Sequence, residues 1–368
     1  MRVAVITSWA TDVLGGSGTA VFFNAFINGL RSRNYDVDII APNFDTTDYV
    51  EVTLKRFLFN AELRTDPRII HADVVIGFDY DGYALDPETR PPMIASAHAI
   101  FGDLIQWETD PVRTMVQAQA YFDAVNMHQA DWVTAGSAYA RNAIVSLYGV
   151  APTKVETIPH GLMPTKWLEL VNAAPRLPNA RPTVLSVGKM YPRKRTDLLL
   201  RAIPYLREKY PTLDVRIAGD GLMWDALHVL ADELGVNEHV TWLSHVADDE
   251  AFAREWRQAD VFCHPSLQES FGFVYVEAMM AGKPIVAMNA TAAPEVVGDA
   301  GLLVEPENPQ VLADALDTFL SNPELAAQYA ARGRVRAAKY TVERMMDGYQ
   351  AAIERVTRPF RLYNYIAA

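Results

Sequence analysis

Residues 261–287 read VFCHPSLQESFGFVYVEAMMAGKPIVA. An apolar run, Val261–Cys263, gives way to a polar stretch, then to a segment of helical period, then to a second apolar run, Ile285–Ala287. Strand, loop, helix and strand in that order make a βα unit, and such units build parallel sheets. The pattern extends in both directions. Upstream, apolar runs at Val184–Val187, Val215–Ala218 and Val240–Leu243 predict strands, and Leu302–Val304 closes the series downstream. An earlier series runs through Val3–Thr7, Val37–Ile40, Val74–Ile76, Met93–Ala97 and Trp132–Thr134. Between the strands the spacing predicts helices, among them Ala20–Arg31, Asp197–Lys209, Trp224–Leu234 and Pro309–Ser321. Val171–Pro182 (VNAAPRLPNARP) has no period and reads as a linker. The expected architecture is α/β, with two doubly wound Rossmann-like domains at residues 1–170 and 180–345. A last helix follows, from Val342 to Val356.

Composition narrows the function. The chain has 368 residues, half of them hydrophobic, and a formal net charge of -12. That balance disfavours a nucleic-acid partner, whose phosphates call for a basic protein. The single cysteine, Cys263, excludes a disulfide framework and reads as a buried thiol in a strand. No apolar stretch is long enough to span a membrane, no secretory signal is visible, and the expected location is the cytoplasm. Lys55-Arg56-Phe57-Leu58-Phe59 is the stretch that would lend a weak peripheral membrane face; an ordinary amphipathic helix is the plainer reading.

Ligands of open parallel sheets bind beyond the carboxyl ends of the strands. Those ends carry the unusual residues: Gly15-Gly16-Ser17-Gly18, His98, Gly188 with Lys189, Arg193 and Lys194, then Gly219-Asp220-Gly221, His245 with Val246, and His264 with Glu269. The glycine loop does not fit G-x-G-x-x-G, no acidic residue ends the second strand, and no P-loop occurs, so a nicotinamide or P-loop site is disfavoured. Lys189, Arg193, Lys194 and Arg195 concentrate cationic charge suited to a diphosphate. Glu269 and Glu277 flank a helix expected to start at Phe271 with Ser270 as its N-cap, and their carboxylates would accept from sugar or ribose hydroxyls. His98 could donate to a phosphate or a hydroxyl, whereas His264 reads as structural. Asp79-Tyr80-Asp81-Gly82-Tyr83 is either a polar turn or part of an acceptor pocket. No metal-ligand spacing occurs, and no metal or cofactor is expected.

These motifs together resemble the retaining nucleotide-sugar glycosyltransferases of glycosyltransferase family 4. The likeness rests on Gly15-Gly16, Ile158-Pro159-His160-Gly161, Gly188-Lys189 with Lys194, Gly219-Asp220-Gly221, the Glu269…Glu277 pair and Ala293-Pro294-Glu295-Val296-Val297. It implies the GT-B fold, two Rossmann-like domains facing each other across a cleft, with residues 346–368 packing back on the first domain. It also implies hexosyl transfer from a nucleoside-diphosphate sugar (a uridine donor favoured over guanosine) to a hydroxyl of a sugar, polyol or lipid-linked acceptor. Displacement would be same-face and metal-independent. By this resemblance Glu277 holds the ribose, Glu269 faces the donor sugar, and Phe271 and Gly272 lend backbone N–H groups. Lys194 and Lys189 meet the diphosphate, Gly16 lies by the phosphate or acceptor, and Gly219, His245 and Val246 meet the nucleoside. His98 lies near the reacting centre. Arg195 stands where the family carries glycine. The competing readings are a non-hydrolysing sugar-nucleotide epimerase and a catalytically silent binding subunit.

Overall fold

A computed structural model of the chain describes every residue except 10–17, 45, 47, 164, 174–180, 247 and 368. Two compact units result, Met1–Gly161 with Thr341–Ala368, and Leu162–Tyr340.

The first unit holds β1 (Arg2–Ile6), β2 (Asp36–Ile40), β3 (Val74–Phe78), β4 (Met93–Ala97), β5 (Trp132–Ala135) and β6 (Val155–Thr157). They form one parallel sheet in the order β2-β1-β3-β4-β5-β6. The central strands β3 and β4 are buried along their whole length, as a parallel sheet covered on both faces requires. β6 adds to the expected series; three residues are too few to show a period. The terminal helix Val342–Ala367 belongs to this unit. Met345, Met346, Tyr349, Ala352, Ile353 and Val356 are buried on it in one helical stripe. Gly29, in the helix Gly18–Ser32, makes room for it: a Cβ there would fall 2.5 Å from Met346 Cγ.

The second unit holds β7 (Thr183–Val187), β8 (Asp214–Ala218), β9 (Val240–Ser244), β10 (Val261–His264), β11 (Ile285–Met288) and β12 (Gly301–Val304), all parallel, in the order β12-β11-β10-β7-β8-β9. The order in which strands are added reverses between β7 and β10, the place where such a sheet opens to a ligand.

Residues 162–170 belong to this second unit rather than to the first. The helix Lys166–Ala173 carries Trp167, whose ring stacks on Trp256 at 5.3 Å and meets Phe252 edge-on at 5.0 Å. Burial of that indole decides which unit the segment joins. The helix also runs into the expected linker, and the first unit resumes at Thr341, ahead of residue 346.

Candidate functional site

In the second unit the loops after β7 and β8 are zipped together by their backbones. Gly188 N–H donates to Ala218 O at 2.9 Å, Met190 N–H to Asp220 O at 2.6 Å, and Met223 N–H to Met190 O at 2.9 Å. A Cβ on Gly219 (φ 136°) would lie 2.0 Å from Gly188 O, so only glycine allows this approach. The zipper holds Lys189, whose ammonium lies 2.5 Å from Asp220 Oδ1 with both side chains substantially exposed. A single helical turn, Pro192–Lys194, follows and ends at Arg195 in the left-handed conformation (φ 52°, ψ 38°), the backbone a glycine would favour. Its guanidinium is tied to Asp197 at 3.0 Å. Arg193 O accepts from Leu267 N–H at 2.9 Å, which links this turn to the loop after β10.

That link places Lys194 against Glu269. Its ammonium is 2.5 Å from Glu269 Oε1, and His264 Nε2 is 2.7 Å from the same oxygen. All three side chains are largely buried. Burial works to raise the Glu269 carboxyl, but the Lys194 charge and the His264 hydrogen bond outweigh it and hold the group well below the carboxylate range. Burial lowers both Lys194 and His264. His264 is therefore neutral at pH 7, and because an ionised carboxylate only accepts, its Nε2 carries the proton. His264 thus joins the site instead of serving the core alone. Glu269 Oε2 has no hydrogen-bond partner among the described residues.

The following helix spans Phe273–Met280, not Phe271 onward, and Ser270 is not its cap. Gly272, at φ 86°, holds the capping position in the left-handed region and has no side chain to accept a capping hydrogen bond; helical geometry cannot begin before it. Phe271 is buried, and Gly272 is half-buried. Glu277 lies on the helix between buried neighbours Val276 and Ala278, is itself half-buried, and has no side-chain hydrogen bond among the described residues. Burial pushes its carboxyl up to about 7. His245 is exposed and Val246 half-buried, just past β9. The structure therefore brings Lys189, Arg193, Lys194, Gly219, Glu269 and Glu277 to the carboxyl edge of one sheet.

In the first unit, Asp79-Tyr80-Asp81 forms a turn after β3, but one withdrawn from solvent. All three are buried, and Asp79 takes the left-handed conformation (φ 54°). Asp79 accepts from His98 N–H (2.7 Å), Ala99 N–H (2.9 Å) and Trp9 Nε1–H (2.8 Å). Asp81 accepts from Ser8 N–H (2.6 Å), Ser8 Oγ–H (2.6 Å) and Asn60 Nδ2–H (2.8 Å). Arg56, expected on a basic face, is buried instead. Its Nε donates to Ser8 Oγ at 2.7 Å and its guanidinium lies 3.9 Å from the Trp9 ring centroid. The network lies where β1 and β3 adjoin, and it anchors the backbone of His98. The His98 ring stacks on His160 at 4.9 Å, and its Nε2 is 3.0 Å from Ser96 Oγ. Ser96 Oγ in turn is 2.6 Å from Tyr349 Oη, to which Thr134 Oγ1 donates at 3.2 Å. Burial takes the His98 ring down to about 3, so it is neutral. Gly16 lies outside the described residues. Among those residues no three His, Cys, Asp or Glu side chains group as metal ligands, and no helix is long and apolar enough to cross a membrane.

Sequence reasoning named Asp220 within its glycine motif but gave it no role, and it did not find Tyr349 or Thr291, the latter's hydroxyl accepting from Glu269 N–H at 3.0 Å. Asp220 alone carried a local signal, an acid between two glycines; the other two are placed only by long-range contacts.

Comparison with known proteins finds matches to both units. The profile "Glycosyl transferases group 1" matches residues 171–336, and "Glycosyltransferase Family 4" matches residues 16–166. A D-inositol 3-phosphate glycosyltransferase of Rhodococcus erythropolis is 31% identical over 346 residues, which is 87% of this chain and 76% of that one. A GDP-mannose-dependent alpha-(1-6)-phosphatidylinositol monomannoside mannosyltransferase of Mycolicibacterium smegmatis is 31% identical over 257 residues, 66% of this chain. The chain spans 64% of that relative's length and 53% of a D-inositol 3-phosphate glycosyltransferase of Nocardia farcinica. Among solved structures, sucrose-phosphate synthase (tll1590) from Thermosynechococcus elongatus superposes with a TM-score of 0.79 at 18% identity, over 97% of this chain and 99% of that one. Anabaena Alr3699/HepE in complex with UDP and glucose gives 0.70 at 19%, over 96% and 99%. Sheet order, matched profiles and the Rhodococcus relative together make this chain a member of glycosyltransferase family 4, built on the two-domain Rossmann-like GT-B fold.

Proposed function

We propose that the protein transfers a hexosyl group from a nucleoside-diphosphate sugar to a hydroxyl acceptor, with retention at the anomeric carbon. The supporting observation is the buried Lys194–Glu269–His264 cluster, with Lys189 close by, where the order of strands reverses in the second sheet. In this reading the diphosphate draws Lys194 and Lys189 from their carboxylate partners, with Arg193 adding charge. Those cations then offset the negative charge that grows on the leaving group. Glu277, half-buried and without a side-chain partner among the described residues, takes the ribose hydroxyls. Gly219, His245 and Val246 line the nucleoside side, largely through backbone. Glu269, with Oε1 held, offers Oε2 to the donor sugar, and Phe271 and Gly272 offer backbone N–H groups.

The acceptor oxygen bonds to the anomeric carbon on the face that the diphosphate leaves. The carbon–oxygen bond to phosphate breaks with its electron pair going to the diphosphate, whose oxygen takes the acceptor proton. His98, assigned near the reacting centre by family resemblance, is neutral and acts as a polar orienting group rather than a charged acid. Cationic side chains carry the leaving-group charge, so EDTA should leave the rate unchanged. Loss in EDTA with recovery in magnesium would overturn that part.

Guanine is the first base to try, since relatives are named as GDP-mannose-dependent, and uracil is the second. A phosphorylated inositol is the first acceptor, because two groups of relatives share that moiety in their names. The test is thermal shift against GDP and UDP, followed by nucleotide release from GDP-mannose and UDP-glucose with and without inositol phosphate. A chain that binds neither nucleotide would refute the reading. Conversion of the donor alone to an epimer would mark an epimerase instead.

A further inference from the structure

The turn after β11 holds the backbone of Glu269 at a cost in conformational freedom. Ala293 N–H donates to Ala290 O at 3.1 Å and closes a four-residue turn. Its first central residue, Thr291, has φ 49°, and the second, Ala292, has φ -81° and ψ -11°. Positive φ at the first central position alone is the II′ pattern, which glycine dominates. A β-branched residue there is an outlier that persists only when its surroundings demand it.

Two bonds identify the demand. Glu269 N–H donates to Thr291 Oγ1 at 3.0 Å, and Ala292 N–H donates to Glu269 O at 3.3 Å. The turn therefore takes both backbone polar groups of Glu269, while Lys194 and His264 hold one carboxylate oxygen. Glycine would relieve the backbone but would lack the hydroxyl. We propose that Thr291 is a positioning residue, whose hydroxyl in this glycine-type turn fixes the Glu269 backbone so that the carboxylate presents Oε2 to the ligand. The proposal rests on the reading of Glu269 as the donor-sugar group.

Three full-length variants test it: Thr291→Val keeps the shape without the acceptor, Thr291→Ser keeps the hydroxyl, and Thr291→Gly frees the backbone. Each is measured for amide hydrogen exchange at Glu269, for melting temperature, and for kcat and KM with GDP-mannose and UDP-glucose. Thr291→Val should speed exchange at the Glu269 amide about tenfold, the factor for loss of one ordinary hydrogen bond. It should also lower kcat about tenfold with donor KM nearly unchanged. Thr291→Ser should restore both. Thr291→Gly should melt at or above the wild-type temperature yet lose kcat as the valine variant does, a split that a purely structural residue would not give. Wild-type amide protection and kcat in Thr291→Val overturn the proposal. If wild type turns over neither sugar nucleotide, the donor reading fails by itself. Amide exchange in the valine and serine variants then still decides whether Thr291 holds Glu269.

Discussion

Lys194 and Glu269 stabilise each other's charged forms away from solvent, and neither is replaceable alone. Removing the lysine leaves a buried carboxylate with His264 as its one remaining donor and removes a cation from the proposed leaving group. Lys194→Ala should therefore lower nucleotide release from the donor by about 10²–10³, the scale for losing one charge-stabilising donor; near-normal turnover would remove Lys194 from the mechanism. Glu277 makes the opposite kind of prediction. Its carboxyl is raised to about 7 in the folded protein, from an ordinary value of 4.5. The unfolded chain loses that proton as pH rises past the lower value, while the folded chain keeps it up to the higher one. The destabilisation is thus absent at low pH, grows between the two values and is complete above 7. Glu277→Gln should melt like wild type at acid pH and about 5 °C higher at pH 8, with weaker nucleotide binding. Equal melting temperatures across that range would show that Glu277 does not sit where its proton is held. That the two glutamates and the lysines lie toward one sheet edge could be read from the sequence, because they sit on one strand–loop–helix unit or at a strand end. The His264 bond to Glu269 could not, since a histidine beside a cysteine in an apolar strand looks the same whether or not a carboxylate folds back onto it.

At the scale of elements, glycines decide where loops can meet. Gly219→Ala would drive a Cβ into Gly188 O, at a cost of about 1–3 kcal/mol. A drop of roughly 5 °C in melting temperature and weaker nucleotide binding are expected. A variant as stable as wild type would mean that the β7 and β8 loops are not zipped as described. A hydrogen-bond chain links Thr134, Tyr349, Ser96 and His98 Nε2, while His98 Nδ1 has no hydrogen-bond partner among the described residues. Removing the phenol hydroxyl changes what Ser96 can offer the imidazole, so Tyr349→Phe should move the tautomer balance of His98. Nitrogen-15 shifts of labelled histidine read this directly, and shifts identical to wild type in the variant would refute the chain. Most strands and helices could be read from apolar runs and helical period. The start of the helix at Phe273 could not, because Gly272 sets it through a backbone angle that composition does not reveal. Nor could the burial of Asp79, Asp81 and Arg56, whose polarity predicts exposure until Ser8, Trp9, Asn60 and the His98 backbone are seen to partner them.

Taken whole, the chain interrupts one unit to build the other. Residues 162–340 carry a complete sheet with its helices, whereas residues 1–161 lack the terminal helix that buries Met346, Tyr349 and Ile353. Expressed alone, 162–340 should melt cooperatively, and under the proposed function it should be stabilised by GDP or UDP. The fragment 1–161 should show no sharp transition, and a cooperative melt at the temperature of the full chain would contradict this. Sequence placed the break between domains too late because the helix around Trp167 sides with Trp256, a contact with no local signature. The return of Val342–Ala367 has a consequence for biosynthesis. A ribosome making this protein releases the middle portion ready to fold, while the portion before it waits, its apolar flank open to chaperones or aggregation, until Val342–Ala367 has been translated.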